Sequence, residues 1–112
     1  MKYLISEEEL NEPATYKVFY FYASWMIFSS KIIKMISSFE EKNNKYNFIA
    51  IDTDNYKNLC KAFNISSVPT FIIFVNGKEV KRFSGLILNS AFKSLLNDIY
   101  NKNKEEPNVK RK

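Results

Sequence analysis

The chain has no histidine, one cysteine (Cys60) and two glycines (Gly77 and Gly85). Lack of histidine excludes Ser-His and Cys-His nucleophile pairs, the usual general base near neutral pH, and most zinc sites. A lone cysteine excludes an intramolecular disulfide and any Cys-x-x-Cys pair. Two isolated glycines cannot make a phosphate-cradling loop or a dinucleotide fingerprint. No apolar run approaches the roughly 18 residues that read as a membrane span. The first ten residues carry Lys2, Glu7, Glu8 and Glu9 in place of the apolar run of a signal peptide. These absences set the expectation of a soluble cytoplasmic protein that uses no cofactor and no metal and does not enter a membrane.

What is present suffices for one folded domain. Of the 112 residues, 46% are apolar and 16% aromatic, enough to bury a single core. The net charge of +5 is spread over Lys/Asn-rich helices and the tail Lys110-Arg111-Lys112. No recognition motif accompanies it, so it reads as solvated surface lysine and no nucleic-acid partner is expected.

Ser6-Glu-Glu-Glu9 is a capping box and predicts a short helix over about 6–12, ended by Pro13. Lys17-Val-Phe-Tyr-Phe-Tyr22 is a continuous β-branched and aromatic run, as in a strand buried on both faces. Ile32, Met35, Ile36 and Phe39 then fall on one helical face, predicting a helix over about 29–43 that ends at Asn43-Asn44. Tyr46–Ile51 is a second buried strand, and Asp54 is placed to cap a helix whose apolar stripe is Tyr56, Leu59, Cys60 and Phe63. Thr70–Val75, the Asn76-Gly77 turn and Glu79–Phe83 form a hairpin. A last helix over about 88–103 carries Phe92, Leu95, Leu96 and Ile99 inward. The sequence divides into one domain over 1–102 and a charged tail, 103–112, that has almost nothing to bury and is expected to be disordered. Parallel crossovers followed by a terminal hairpin imply an α/β protein, a three-layer α/β/α sandwich with a mixed central β-sheet.

Ala-Ser-Trp25-Met-Ile-Phe-Ser29 at the exit of the first buried strand, the Asp52-Thr-Asp54 pair, Ile65-Ser-Ser-Val-Pro-Thr70, Phe74-Val-Asn-Gly77 and Phe83-Ser-Gly85 together resemble the thioredoxin family. The match runs without a gap from about Val18 to Gly85, and the spacing from Trp25 through Asp52 to Pro69 makes it specific. The resemblance implies a thioredoxin fold and a cis-proline at Pro69. It also implies a polypeptide groove in which the Val68 backbone is available to an extended peptide. Where the family carries its nucleophilic and resolving cysteines, this chain has Met26 and Ser29, neither of which takes part in thiol exchange. The family's buried carboxylate aligns with Tyr20, and the proline that kinks its second helix aligns with Lys34.

The resemblance therefore implies a degenerate active site with no catalytic residue and no enzyme activity. The expected peptide-binding set is Trp25, Met26, Ile27, Phe28, Val68, Pro69, Gly85 and Leu86, contacting a polypeptide partner or a second copy of the chain. Met26-Ile27-Phe28 cannot all point inward from a strand-to-helix turn, so one or two are expected outside. Cys60 reads as a buried small hydrophobe on the far side of the domain from Trp25, Ser29 as a helix cap, and Asp52 and Asp54 as capping or turn residues. The favoured function is a redox-inactive binding adaptor or chaperone-like module. The alternatives are a divergent thioredoxin acting in thiol-disulfide redox homeostasis through Cys60, and a structural subunit of a larger assembly.

Overall fold

The structure is a computed structural model that describes residues 1–43 and 45–104. Its elements are β1 (Lys2–Tyr3), a 3-10 turn (Glu7–Asn11), β2 (Tyr16–Tyr22), α1 (Ser29–Lys42), β3 (Tyr46–Asp52), α2 (Lys57–Ala62), β4 (Thr70–Val75), β5 (Lys78–Ser84) and α3 (Asn89–Lys104). The five strands form one mixed sheet in the order β1-β3-β2-β4-β5. β1, β3 and β2 run parallel, whereas β4 and β5 are antiparallel to their neighbours.

The continuous apolar run of β2 follows from its central place. It pairs with β3 on one side and β4 on the other, with Tyr20 opposite both Ala50 and Phe71. Period-2 alternation sends Tyr16, Val18 and Tyr20 toward α1 and α3, where they meet Ile32, Ile36, Phe39, Phe92 and Leu96. Phe19 and Phe21 point the other way, into a second core with Ile49, Ile51, Ile72 and Leu59 of α2. A helix layer on each face leaves this strand no polar side. At the sheet's edge, β5 instead keeps Lys78, Glu79 and Lys81 exposed, a charged margin that discourages pairing with another chain. The β4–β5 turn places Asn76 and Gly77 at φ of 52° and 82°, the left-handed pair a two-residue hairpin needs.

β1 adds an edge strand, pairing Lys2 and Tyr3 with Ile49 and Ala50. The capping box is engaged as its spacing predicts, with the Glu8 amide donating to Ser6 Oγ (3.4 Å) and the Ile5 amide to Glu9 Oε1 (3.0 Å), and the short helix it starts, Glu7–Asn11, is of the 3-10 kind. Three local expectations are corrected. Ser29 is the first helical residue of α1 and not its cap. That place falls to Phe28, which makes no side-chain capping bond. Asp54 does not cap α2, whose cap position is Tyr56; instead Asp52 Oδ1 accepts from the Asp54 amide at 2.9 Å and closes a turn. Finally, the tail expected from 103 begins inside α3, where Asn103 Nδ2 donates to the Ile99 carbonyl at 2.7 Å and carries the helix to Lys104. Residues 105–112 of that tail lie outside the described residues. No helix among the described residues is long and apolar enough to cross a membrane.

Candidate functional site

The carboxyl ends of β2 and β3 and the amino end of β4 meet at one margin of the sheet, and the segments leaving them build the site. After β2, Ala23 stays buried and its carbonyl accepts the Met26 amide at 3.0 Å, closing a tight turn. The turn sorts its apolar residues. Met26 folds inward against the α1/α3 core, whereas Trp25, Ile27 and Phe28 stand 71%, 85% and 46% exposed. The turn thus leaves two of Met26, Ile27 and Phe28 outside, as its geometry predicts.

The opposite wall comes from the segment before β4. The Val68–Pro69 peptide bond is cis. Thr70 Oγ1 donates to the Ser67 carbonyl at 2.7 Å and lies 2.8 Å from Ser84 Oγ, while the Gly85 amide donates to the Pro69 carbonyl at 2.9 Å. These bonds tie the Pro69 loop to the end of β5. Gly85 has φ of +91°, a left-handed conformation in which any other residue is strained, although nothing crowds its Cβ position. Neither backbone group of Val68 is paired among the described residues, so both remain available.

Between the walls runs a cleft of about 440 Å³ lined by all eight residues named from the sequence, Trp25, Met26, Ile27, Phe28, Val68, Pro69, Gly85 and Leu86, with Ile32 as its one addition. Ile32 was read as core, and its helical stripe gives no sign that one edge of the side chain also meets the cleft.

Cys60 is corrected. It does not lie on the far side of the domain: it lines a second cleft, of about 510 Å³, whose walls include Trp25 and Val68. α2 is short, so a half-buried residue on its stripe also reaches the loop margin. Burial, reinforced by the charges of Asp52 and Asp54, pushes its thiol pKa above the ordinary value. The thiolate fraction at neutral pH is correspondingly small.

Tyr20, which the resemblance aligns with the family's buried carboxylate, lies in the same core cluster as Ile32, against which Met26 also packs. It is fully buried, stacked on Phe71 at 5.1 Å and on Tyr22 at 5.5 Å between ring centroids. Its hydroxyl has no partner among the described residues, and burial, with Tyr3 and Tyr22 adding to it, pushes its pKa up to about 12. Such a phenol stays protonated at neutral pH and does not act as a base there. Ser29 sits half-buried in the first turn of α1 with no histidine in the chain to activate it.

Comparison with known proteins agrees with this geometry. The Thioredoxin family profile matches residues 6–98. Chloroplastic thioredoxin Y of Oryza sativa is 35% identical over 68 residues, which cover 60% of this chain and 40% of that protein. Thioredoxin H2 of Arabidopsis thaliana is 32% identical over 77 residues, covering 69% of this chain and 58% of its own length. The matched stretches thus span about half of these relatives. The oxidised thioredoxin of Plasmodium falciparum superposes with a TM-score of 0.78 at 26% identity, covering 88% of this chain and 96% of that one. With the family profile, the mixed sheet between helix layers and the Trp25/Pro69 cleft in agreement, the chain belongs to the thioredoxin family.

Proposed function

We propose that this protein is a redox-inactive member of its family that binds polypeptide through the Trp25/Pro69 cleft, as an adaptor or chaperone-like module. The observation that carries the reading is the division of the site. The groove half is retained, with exposed Trp25, Ile27 and Phe28 lining one cleft with Pro69, Gly85 and Leu86 and with Val68 backbone groups that have no partner among the described residues. The electron-transfer half is missing, because Met26 and Ser29 stand at the two thiol places and a neutral phenol, Tyr20, stands where the resemblance puts the assisting carboxylate. Exposed apolar residues clustered around a tryptophan mark contact surfaces, and tryptophan is among the side chains that most often dominate them.

A second reading, thiol chemistry at Cys60, draws on its place in the cleft beside Trp25. Its raised pKa weighs against it.

Insulin reduction coupled to a thiol reductant separates the two. The adaptor reading expects no turnover above the reductant's own background. Turnover that Cys60→Ser abolishes would establish the second reading. Restoring both thiols with Met26→Cys and Ser29→Cys is expected to give weak activity at best, since Tyr20 supplies no carboxylate to assist the resolving thiol. For binding itself, Trp25→Ala is expected to cost an extended peptide about 2 kcal/mol, on the order of thirtyfold in affinity. An unchanged affinity would move the binding surface off this cleft.

A further inference from the structure

The cleft does not end at Pro69. Trp25 and Val68 are shared with the Cys60 cleft on one side, and Ile32 and Leu86 with a third hollow of about 290 Å³ on the other, which Met35, Ile87 and Leu88 also line. The three make one apolar track. Among the described residues its charged lining is all lysine: Lys57 and Lys61 from α2 at one end and Lys31 from the first turn of α1 at the other. All three are exposed, and none has an ion-pair partner among the described residues. Asp52 and Asp54 flank Thr53 at the α2 end and do not line the track, although their charges reach Cys60 in its wall. Asp52 is already engaged by the Asp54 amide and the Asn55 side chain.

Resting on the polypeptide-binding reading above, we infer that the track takes an extended segment with an apolar middle and carboxylates toward both ends, the middle on Trp25, Phe28 and Leu86 and the acids at Lys57/Lys61 and Lys31. Charge complementarity selects this occupant. Apolar burial holds the middle, and lysines that line both margins without an ion-pair partner among the described residues favour acidic flanks and steer their approach. A second copy of the chain fits less well, because a symmetric pairing of this face brings lysine-bearing margins together in a molecule of net charge +5.

Trp25 is the only tryptophan in the chain, so its fluorescence reports occupancy directly. The probes are three synthetic peptides that share a Val-Ile-Phe-Val centre and differ in their flanks: Glu-Glu, Gln-Gln or Lys-Lys at both ends. At low salt the Glu-flanked peptide is expected to bind about tenfold tighter than the Gln-flanked one, since each exposed ion pair adds only a few-fold. The gap should close near 1 M salt, where screening shortens to about 3 Å. Combining Lys31→Glu, Lys57→Glu and Lys61→Glu should reverse the order in favour of the Lys-flanked peptide while the melting temperature stays nearly unchanged, because all three are surface positions. Equal affinities of the Glu- and Gln-flanked peptides, with Trp25 responding to both, would overturn the acidic requirement and leave the groove reading standing. If no peptide perturbs Trp25, both fall. A dimer seen by sedimentation and lost in Trp25→Ala would assign the track to a second copy and overturn the inference.

Discussion

Two aromatic clusters a short distance apart behave in opposite ways. Under α1 and α3, Phe39, Phe48, Phe71 and Phe92 pack edge to face with centroids near 6 Å, each 2% exposed or less. At the β2–α1 turn, Trp25 and Phe28 lie open beside exposed Ile27 and Leu86. Hydrophobicity alone does not distinguish the two groups. In the core, strand alternation and helical period each give a residue one direction, and those directions converge. In the turn no period applies, and the one backbone bond that closes it lets a single side chain, Met26, fold inward. The core buries its apolar surface in folding, and the turn leaves its own exposed.

The largest effect should come from the closed cluster. Phe92→Ala removes a fully buried ring from the centre of the core and is expected to cost about 3–5 kcal/mol, read from urea unfolding. A loss under about 1 kcal/mol would mean that this cluster is no more tightly packed than the turn. The next effect is in pH. Burial raises the pKa values of Tyr20 and Tyr46, and Tyr46 also donates its hydroxyl to the Leu96 carbonyl at 2.7 Å. For a raised group, stability is fully present below the unfolded value of about 10 and is lost as pH climbs through the folded value. The urea midpoint should therefore hold up to about pH 9 and drop between about 10 and 12, with Tyr20 accounting for roughly 2–3 kcal/mol. A flat profile to pH 12 would show these phenols solvated in the native state. Smaller again is Tyr20→Phe. It deletes a buried hydroxyl that has no partner among the described residues, so it should stabilise by about 1 kcal/mol and shrink the alkaline loss. Destabilisation would mean that the hydroxyl is satisfied. The smallest change in stability belongs to the open cluster. Phe28→Glu should move it by less than about 0.5 kcal/mol while weakening apolar peptide binding. Unfolding on that substitution would make the turn part of the core and remove the contrast.

Most of the fold was legible from periodicity. The strands Tyr16–Tyr22, Tyr46–Asp52 and Thr70–Val75 and the helices α1 and α3 fall within a residue or so of the runs that predict them. Burial pattern within one element is a local property, and the Asn76-Gly77 turn is set by two residues that tolerate positive φ. The candidate site was legible for a different reason: the spacing of Trp25, Asp52 and Pro69 resembles a known family, so residues distant in sequence could be named together. The misses share one cause. The α1 cap is Phe28 where Ser29 was expected, Asp54 gives its amide to Asp52 and leaves the α2 cap position to Tyr56, and Cys60 on the short α2 reaches a cleft shared with Trp25. Each was decided by a neighbour in space or by the path of the chain.

The sequence by itself determined the identity and order of the main elements, the loss of both thiols, and the absence of histidine chemistry, because all of these are written in residue type and local spacing. Only the tertiary structure decided which of Met26, Ile27 and Phe28 turns inward, that Cys60 shares a cleft with Trp25, and that Tyr20 buries a hydroxyl with no partner among the described residues. These outcomes depend on how three loops converge at one sheet margin. That convergence is fixed by packing between residues far apart in the chain, about which no local pattern carries information.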